Sequence, residues 1–339
     1  MVTVFLGPYL TNVTNNAADA NGLIYPLGIP VPAGSYFPYV LSLSVVLQVF
    51  LLPLTGAIAD KTGRKKRLLM LFAYVGAIST MGLYLVQGSA YLLGGLLFVI
   101  ANLSFGASIM VYNAFLPEIS EPDERNRVSS QAWALGYLGG GLLLAANLAL
   151  YSTHESLGLS AGQAVCISLL SAGAWWALFP LIPLGTLWDR RPDNPDEQGA
   201  AIALAGFRQL LGTLRASLAY PQTLLFLAAY LLYNDGIQTV ITLTAVYAEE
   251  ELKLGTGTIT SAVLMVQFLA FMGALLLGAL ARRFGAKRVV LASLVLWTGA
   301  VADAYFLGVG SVWQFYVLAC SSGSCSGVAR RSPGRCSRT

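Results

Sequence analysis

Charge is what this chain has least of. Asp, Glu, Lys and Arg make up 11% of its 339 residues, against roughly 25% in soluble domains, while 56% are hydrophobic. A water-soluble shell cannot be built from so few charges, so the composition implies a membrane protein. Histidine occurs once and cysteine four times. His154 lies beside Gly158-Leu159-Ser160-Ala161-Gly162, which spells a nucleophile elbow but has no strand before it to strain the serine. Cys166 falls in an apolar run, and Cys320, Cys325 and Cys336 lack paired metal-ligand spacing. No catalytic residue, metal site or cofactor is expected, and no phosphate-cradling Gly-rich Lys-Ser/Thr motif is there to drive ATP-fuelled pumping.

Long apolar runs are what the chain has instead. A helix needs roughly 20 apolar residues to cross the hydrocarbon, and eight complete candidates are present: 36–59, 67–87, 90–115, 128–151, 163–188, 221–247, 259–281 and 288–309. Backbone groups in lipid must be paired within their own segment, and no ten-residue alternation of a barrel is seen. The expectation is therefore all-α, with no strands. Residues 1–10 are apolar but short and read as a truncated first span; 311–320 begin another run. Ser321 to Thr339 lacks helical periodicity and reads as a non-native or disordered tail.

Cations report the orientation. Lys61, Arg64 to Arg67, Arg125, Arg127, Arg190, Arg191, Arg208, Arg215, Arg282, Arg283, Lys287 and Arg288 fall in alternate turns, against Lys253 alone in the opposite ones. The basic turns are expected to be cytoplasmic and segments near 11–35, 88–89, 152–162 and 248–258 external. The net charge of +4 is thus a topology signal and implies no nucleic acid partner. The polar stretch 189–220 separates an N-terminal half, 1–188, from a C-terminal half, 221–320. Within this linker, 200–218 spaces Leu204, Phe207, Leu211 and Leu214 as an amphipathic helix on the membrane surface would; a plain spacer fits equally.

One basic phrase is written twice, each time closing an apolar run: Gly56 to Lys66 reads GAIADKTGRKK, and Gly278 to Arg288 reads GALARRFGAKR. Two halves on one plan are a recurrent design of secondary transporters. With Arg67 included, Gly-x-x-Ala-Asp-x-x-Gly-Arg-Lys-Lys-Arg resembles the signature between the second and third spans of the major facilitator superfamily. Tyr112 to Glu118 (YNAFLPE), Trp133 to Gly141 (WALGYLGGG) and Tyr233 to Val240 (YNDGIQTV) resemble, more narrowly, the bacterial branch related to the autophagy-linked vacuolar amino-acid effluxers. The resemblance covers residues 1 to about 320. It implies two pseudo-repeated six-helix halves, of which this chain lacks the start of the first span and all that follows the start of the tenth. It also implies a conformation-dependent latch at the signature.

Physical chemistry supports such a latch. Gly63 permits a turn with positive φ, and Asp60 can pair with a guanidinium or a helix N-terminus in one of two conformations. Asp60, Gly63 and Arg64, joined by Glu118 and Arg127, are the candidate gating residues; positive-inside anchoring and ordinary loop charges are the competing accounts. Ser120, Pro122 and the acids Glu121 and Asp123 read as a helix start.

Ionisable groups inside spans mark pathways. Asp235 sits with Asn234, Gln238, Thr239 and Thr242, and 235, 238, 239 and 242 share one helical face. Asp235 is the candidate carrier of a coupling proton, preferred to Asp303 near the end of its span. Gln48, Asn102, Ser104, Ser108, Tyr112 and Asn113 are the first-half groups that could line the same path, with interhelical hydrogen bonding as the alternative. Gly136, Gly139, Gly140 and Gly141 read as close packing, with a sliding or hinge role as the second reading. The expected protein is a multi-pass, monomeric secondary transporter of the cell membrane, or of the vacuolar membrane in a eukaryote. Membrane lipids, a small polar metabolite and a proton are its partners, and amino-acid efflux its activity. A non-transporting sensor or scaffold, or an inactive truncated product, are the alternatives.

Overall fold

A computed structural model describes residues 2–121, 124–189 and 218–329, with Gly212 and Arg215. The proposed surface helix at 200–218 falls almost wholly outside these residues. Helices dominate, as apolar runs without backbone partners in lipid require. They are α1 (Val2–Ala17), α2 (Tyr36–Thr62), α3 (Lys65–Gly82), α4 (Tyr91–Ile119), α5 (Arg125–Ser152), α6 (Ala161–Leu178), the short α7 (Leu181–Thr186), α8 (Pro221–Glu250), α9 (Thr256–Phe284), α10 (Ala286–Ala304) and α11 (Val312–Ala329).

Among the described residues, seven helical stretches are long and apolar enough to cross a membrane, and Leu291–Ala304 is a shorter apolar stretch. The span expected at 288–309 corresponds to α10, which runs from Ala286 and ends at Ala304, five residues earlier than expected. Three further expectations are revised. Helix α1 continues to Ala17 because Thr11 and Thr14 return their hydroxyls to carbonyls one turn back, so the loop begins near Ala18 rather than at 11. That loop contains strands, Leu23–Ile24 paired antiparallel with Val31–Pro32, where none was expected. Helix α11 runs past Cys320 to Ala329, into the stretch read as a tail.

Ser120 does not start a helix. It closes α4 in extended conformation and donates to the Leu116 carbonyl at 2.6 Å, while α5 begins at Arg125 after Glu124. Ser160, the false nucleophile, is instead the N-cap of α6: Gln163 N–H donates to its Oγ at 3.2 Å and Gln163 Oε1 accepts from its N–H at 2.9 Å.

The repeated phrase has a structural counterpart. Gly63 between α2 and α3 has φ 61, and Gly285 between α9 and α10 has φ 84, so each hairpin turns on a left-handed residue that glycine adopts freely. The packing repeats too: α2 and α3 both pack on α4, as α9 and α10 both pack on α11. In the first half, α3 also packs against α6, with Gly173 of α6 seated on the α3 backbone. Phe5, Leu6, Leu10, Phe37, Leu83, Val86, Leu144 and Leu169 form the largest buried cluster, and Val246, Val263 and Leu264 of the second half pack against it. Ala245, Ala248, Leu252, Ile259 and Phe315 form a second core. The halves meet chiefly where α1 contacts α8 and α9, and where α5 contacts α9.

Candidate functional site

Two ion pairs lie near the signature turn among the described residues. Lys65 Nζ, at the start of α3, lies 2.8 Å from Glu118 Oε1 at the end of α4 and donates to the Ala114 carbonyl at 3.3 Å. Both side chains are mostly covered, 15% and 18% exposed. Arg127 instead pairs with Glu124, three residues earlier on the same chain segment, at 2.7 Å in the open. The backbone N–H of Lys66 donates to Asp189 Oδ1 at 2.7 Å, which brings the α2–α3 turn and the entrance of the linker to one end of the bundle. Gly63 is the left-handed C-cap of α2, and Arg64 stands exposed at the N-cap of α3. The Asp60 side chain lies outside the described residues. Lys65, outside the candidate gating set, thus pairs with Glu118.

Among the first-half pathway candidates, Gln48 and Asn102 are engaged between helices. Gln48 Nε2 donates to the Asn102 carbonyl at 3.1 Å, and Asn102 Nδ2 donates to Ser44 Oγ at 2.7 Å. Gly106 makes room for this: a Cβ there would sit 3.0 Å from Gln48 Oε1. Ser104 is buried, and Ser108 donates to the Phe105 carbonyl at 2.9 Å. Tyr112 and Asn113 are exposed.

On α8 the polar stripe is turned away from the packed face. Ile237 is buried against Trp297 of α10, with Tyr233, Val240 and Leu294 around them. Asp235, Gln238 and Thr239 are exposed and Asn234 is half-buried. The Thr242 side chain lies outside the described residues. Sequence reasoning missed Gln267, a half-buried amide midway along α9. A Cβ on Gly140 would come within 3.1 Å of its Nε2, and one on Gly141 within 3.4 Å of its Cβ. The glycines of α5 therefore admit Gln267 to the contact between halves. The rule that singled out Asp235, a polar residue inside an apolar run, applies equally to this position.

An open cleft of about 650 Å³ lies elsewhere, between α9 and α10. Its walls are Leu269, Met272, Leu276, Leu280 and Leu296, with Arg288 at one end, so it is remote in character from the polar groups above. At the opposite end of the helices, Asp19 accepts from the N–H groups of Leu23 and Asn21 and from the Tyr25 hydroxyl. These bonds hold its carboxyl below the usual range, the Leu23 bond most strongly. Glu249, near the end of α8, is pushed the other way by burial and by the Glu250 carboxylate.

Residues 2–335 match the family model described as vacuole effluxer Atg22 like. The chain belongs to this family. Among curated relatives of the Atg22-like proteins it resembles, the "uncharacterized MFS-type transporter YxiO" of Bacillus subtilis is 27% identical, the match covering 84% of this chain and 66% of that one. Autophagy-related protein 22 of Neurospora crassa is 24% identical, over 89% of this chain and 52% of the relative. The chain thus spans about half to two thirds of the length of these relatives. The xylose transporter XylE of E. coli has the same fold, with a TM-score of 0.62 at 15% identity over 97% of this chain and 83% of that structure. This Atg22-like chain is accordingly a multi-pass membrane protein with a major facilitator fold of two pseudo-repeated helical halves.

Proposed function

We propose that the chain is the greater part of a secondary transporter that moves small polar metabolites, amino acids first among them, by alternately opening its two halves to either side of the membrane. One observation carries this reading. The halves meet through α5 and α9 at a glycine surface that holds the mid-span amide of Gln267, a polar group with no purpose in a purely apolar joint. The exposed stripe of Asp235, Gln238 and Thr239 supports it, since uncovered polar groups midway along a span belong beside a hydrated path. The description of the matching family, vacuole effluxer, supports export as the direction, and a monomer suffices for the mechanism. Asp235 is the proposed carrier of a coupling proton, and Asp60, Gly63 and Arg64 are the proposed latch. The test is counterflow of radiolabelled amino acids in proteoliposomes. Flux that falls at least tenfold in Asp235→Asn and in Gln267→Ala is expected; no flux above protein-free vesicles, or flux unchanged in both variants, refutes the proposal.

A further inference from the structure

The end of α8 is wedged between the two cores. Val246 packs on the first half, its Cγ2 only 3.0 Å from where a Cβ on Gly7 would stand, with Phe37 alongside. Ala245 and Ala248 are buried in the second core with Leu252 and Ile259. Glu249 follows Val246 by three residues and so shares its face, at the joint with α1. One of its carboxylate oxygens, Oε2, is sealed from solvent and has no hydrogen-bond partner. Glu249 as a whole is half-buried, so a carboxylate there would hold part of its charge on an oxygen cut off from water, whereas a carboxylic acid would place a neutral group there at lower cost.

The surroundings supply no relief. Helix α1 contributes one ionisable group, Tyr9, whose hydroxyl is committed to the Val86 carbonyl at 2.6 Å. The start of α2 brings Tyr36, which donates to the Tyr91 carbonyl at 3.2 Å, and Tyr39. Helix α9 carries Arg282 and Arg283 at its far end only, as α10 carries Lys287 and Arg288; near this end α10 offers Asp303, and Tyr247 of α8 reaches the Ala304 carbonyl at 3.4 Å. Glu250 closes α8, and the adjoining turns hold Glu251, Asp19 and one cation, the exposed Lys253. No ion pair with Glu249 exists among the described residues.

We propose that Glu249 is a proton-binding site at the joint between the halves, protonated while the ends of α1 and α8 are packed together and ionised when they part and water enters. Acid therefore favours the packed joint. The sign follows from the direction of the group's displacement: a carboxyl held above its ordinary value of about 4.3 when packed stabilises the packed state below that value, and this contribution is lost as pH rises through the packed-state value. One proton shifts the ratio of packed to parted molecules by at most tenfold per pH unit. The inference goes beyond the transport reading, because it requires two halves that separate and no substrate.

The experiment places spin labels on Asn16→Cys and Gly255→Cys, both at exposed positions on opposite sides of the joint, in the full chain with its other cysteines replaced by serine, in lipid nanodiscs. Pulsed distance measurement at pH 4.5 and 7.5 is expected to show a single short distance in acid and a growing longer population at the higher pH. Glu249→Gln should keep the short distance at both. A pH response that persists in Glu249→Gln, or a wild-type distance that ignores pH, overturns the proposal. Thermal unfolding gives an independent reading: Glu249→Gln should raise the midpoint at pH 7.5 and leave it unchanged at pH 4.5, and equal effects at both pH values count against it. Absent amino-acid flux with an intact Glu249-dependent distance change would refute the transport reading alone.

Discussion

Gly173→Ala is expected to be among the most damaging single-methyl additions in the first half. A Cβ at Gly173 would lie 2.5 Å from Met81 Cγ, 2.6 Å from the Met81 backbone nitrogen and 2.8 Å from the Ala77 carbonyl oxygen. Carbon contacts are comfortable at about 3.5–4.0 Å. Two of the three obstacles are main chain, so no rotamer change removes them, and α3 and α6 must separate by about 1 Å. Overpacking of this kind costs about 1–3 kcal/mol, and the rigid obstacle puts this case near the upper end. Gly76 faces the same helix pair from the other side, where a Cβ would meet the Trp176 ring at 2.2 to 2.9 Å. Gly76→Ala should cost a similar amount, but Trp176→Leu in the same chain should recover part of it, because that obstacle is a side chain. Met81→Ala should fail to rescue Gly173→Ala. The measurement is reversible unfolding in mixed detergent and SDS micelles, followed by far-UV circular dichroism. A Gly173→Ala protein within 0.5 kcal/mol of the parent, or one fully rescued by Met81→Ala, would refute the argument that backbone contact sets the spacing of these helices.

Two further outcomes follow from the signature turn. Glu118→Gln leaves the largely covered Lys65 ammonium without its carboxylate and should destabilise by about 2 kcal/mol, less than the ~3–5 kcal/mol of a fully buried pair; Lys65→Met combined with Glu118→Leu should recover most of that loss in the same unfolding assay. Gly63→Ala forces a side chain into the left-handed region and should cost about 1–2 kcal/mol, whereas Gly56→Ala, whose Cβ would meet only the flexible end of Met110, should cost visibly less.

The helices were legible because lipid leaves them no alternative. Runs such as 67–87 and 128–151 correspond to α3 and α5 within a few residues, and the doubled phrase corresponds to two hairpins with left-handed glycines. Local competition obscured the rest. Ser120 has the chemistry of a cap at either end of a helix, and only the chain path decides that it closes α4. Thr11 and Thr14 extend α1 by bonding back to their own helix, an option invisible in hydropathy. Partner choice was the least readable property. Four adjacent cations, Arg64 to Arg67, look alike in sequence, and Glu118 lies beside Lys65 because α3 and α4 are antiparallel neighbours. Gln267 and Glu249 went unnoticed because their surroundings are supplied by α5 and α1, distant in the chain.

The Ser44–Asn102–Gln48 bonding has a consequence for where selectivity can evolve. Those amides stitch α2 to α4 within the first half, so the proposed rocking of one half against the other would leave them occupied. Under the proposed transport reading, discrimination between cargoes then falls mainly to the polar side chains of α8 and α9. Grafting those two helices between relatives should carry preference with it, while exchanging α2 and α4 should alter robustness and leave cargo choice intact.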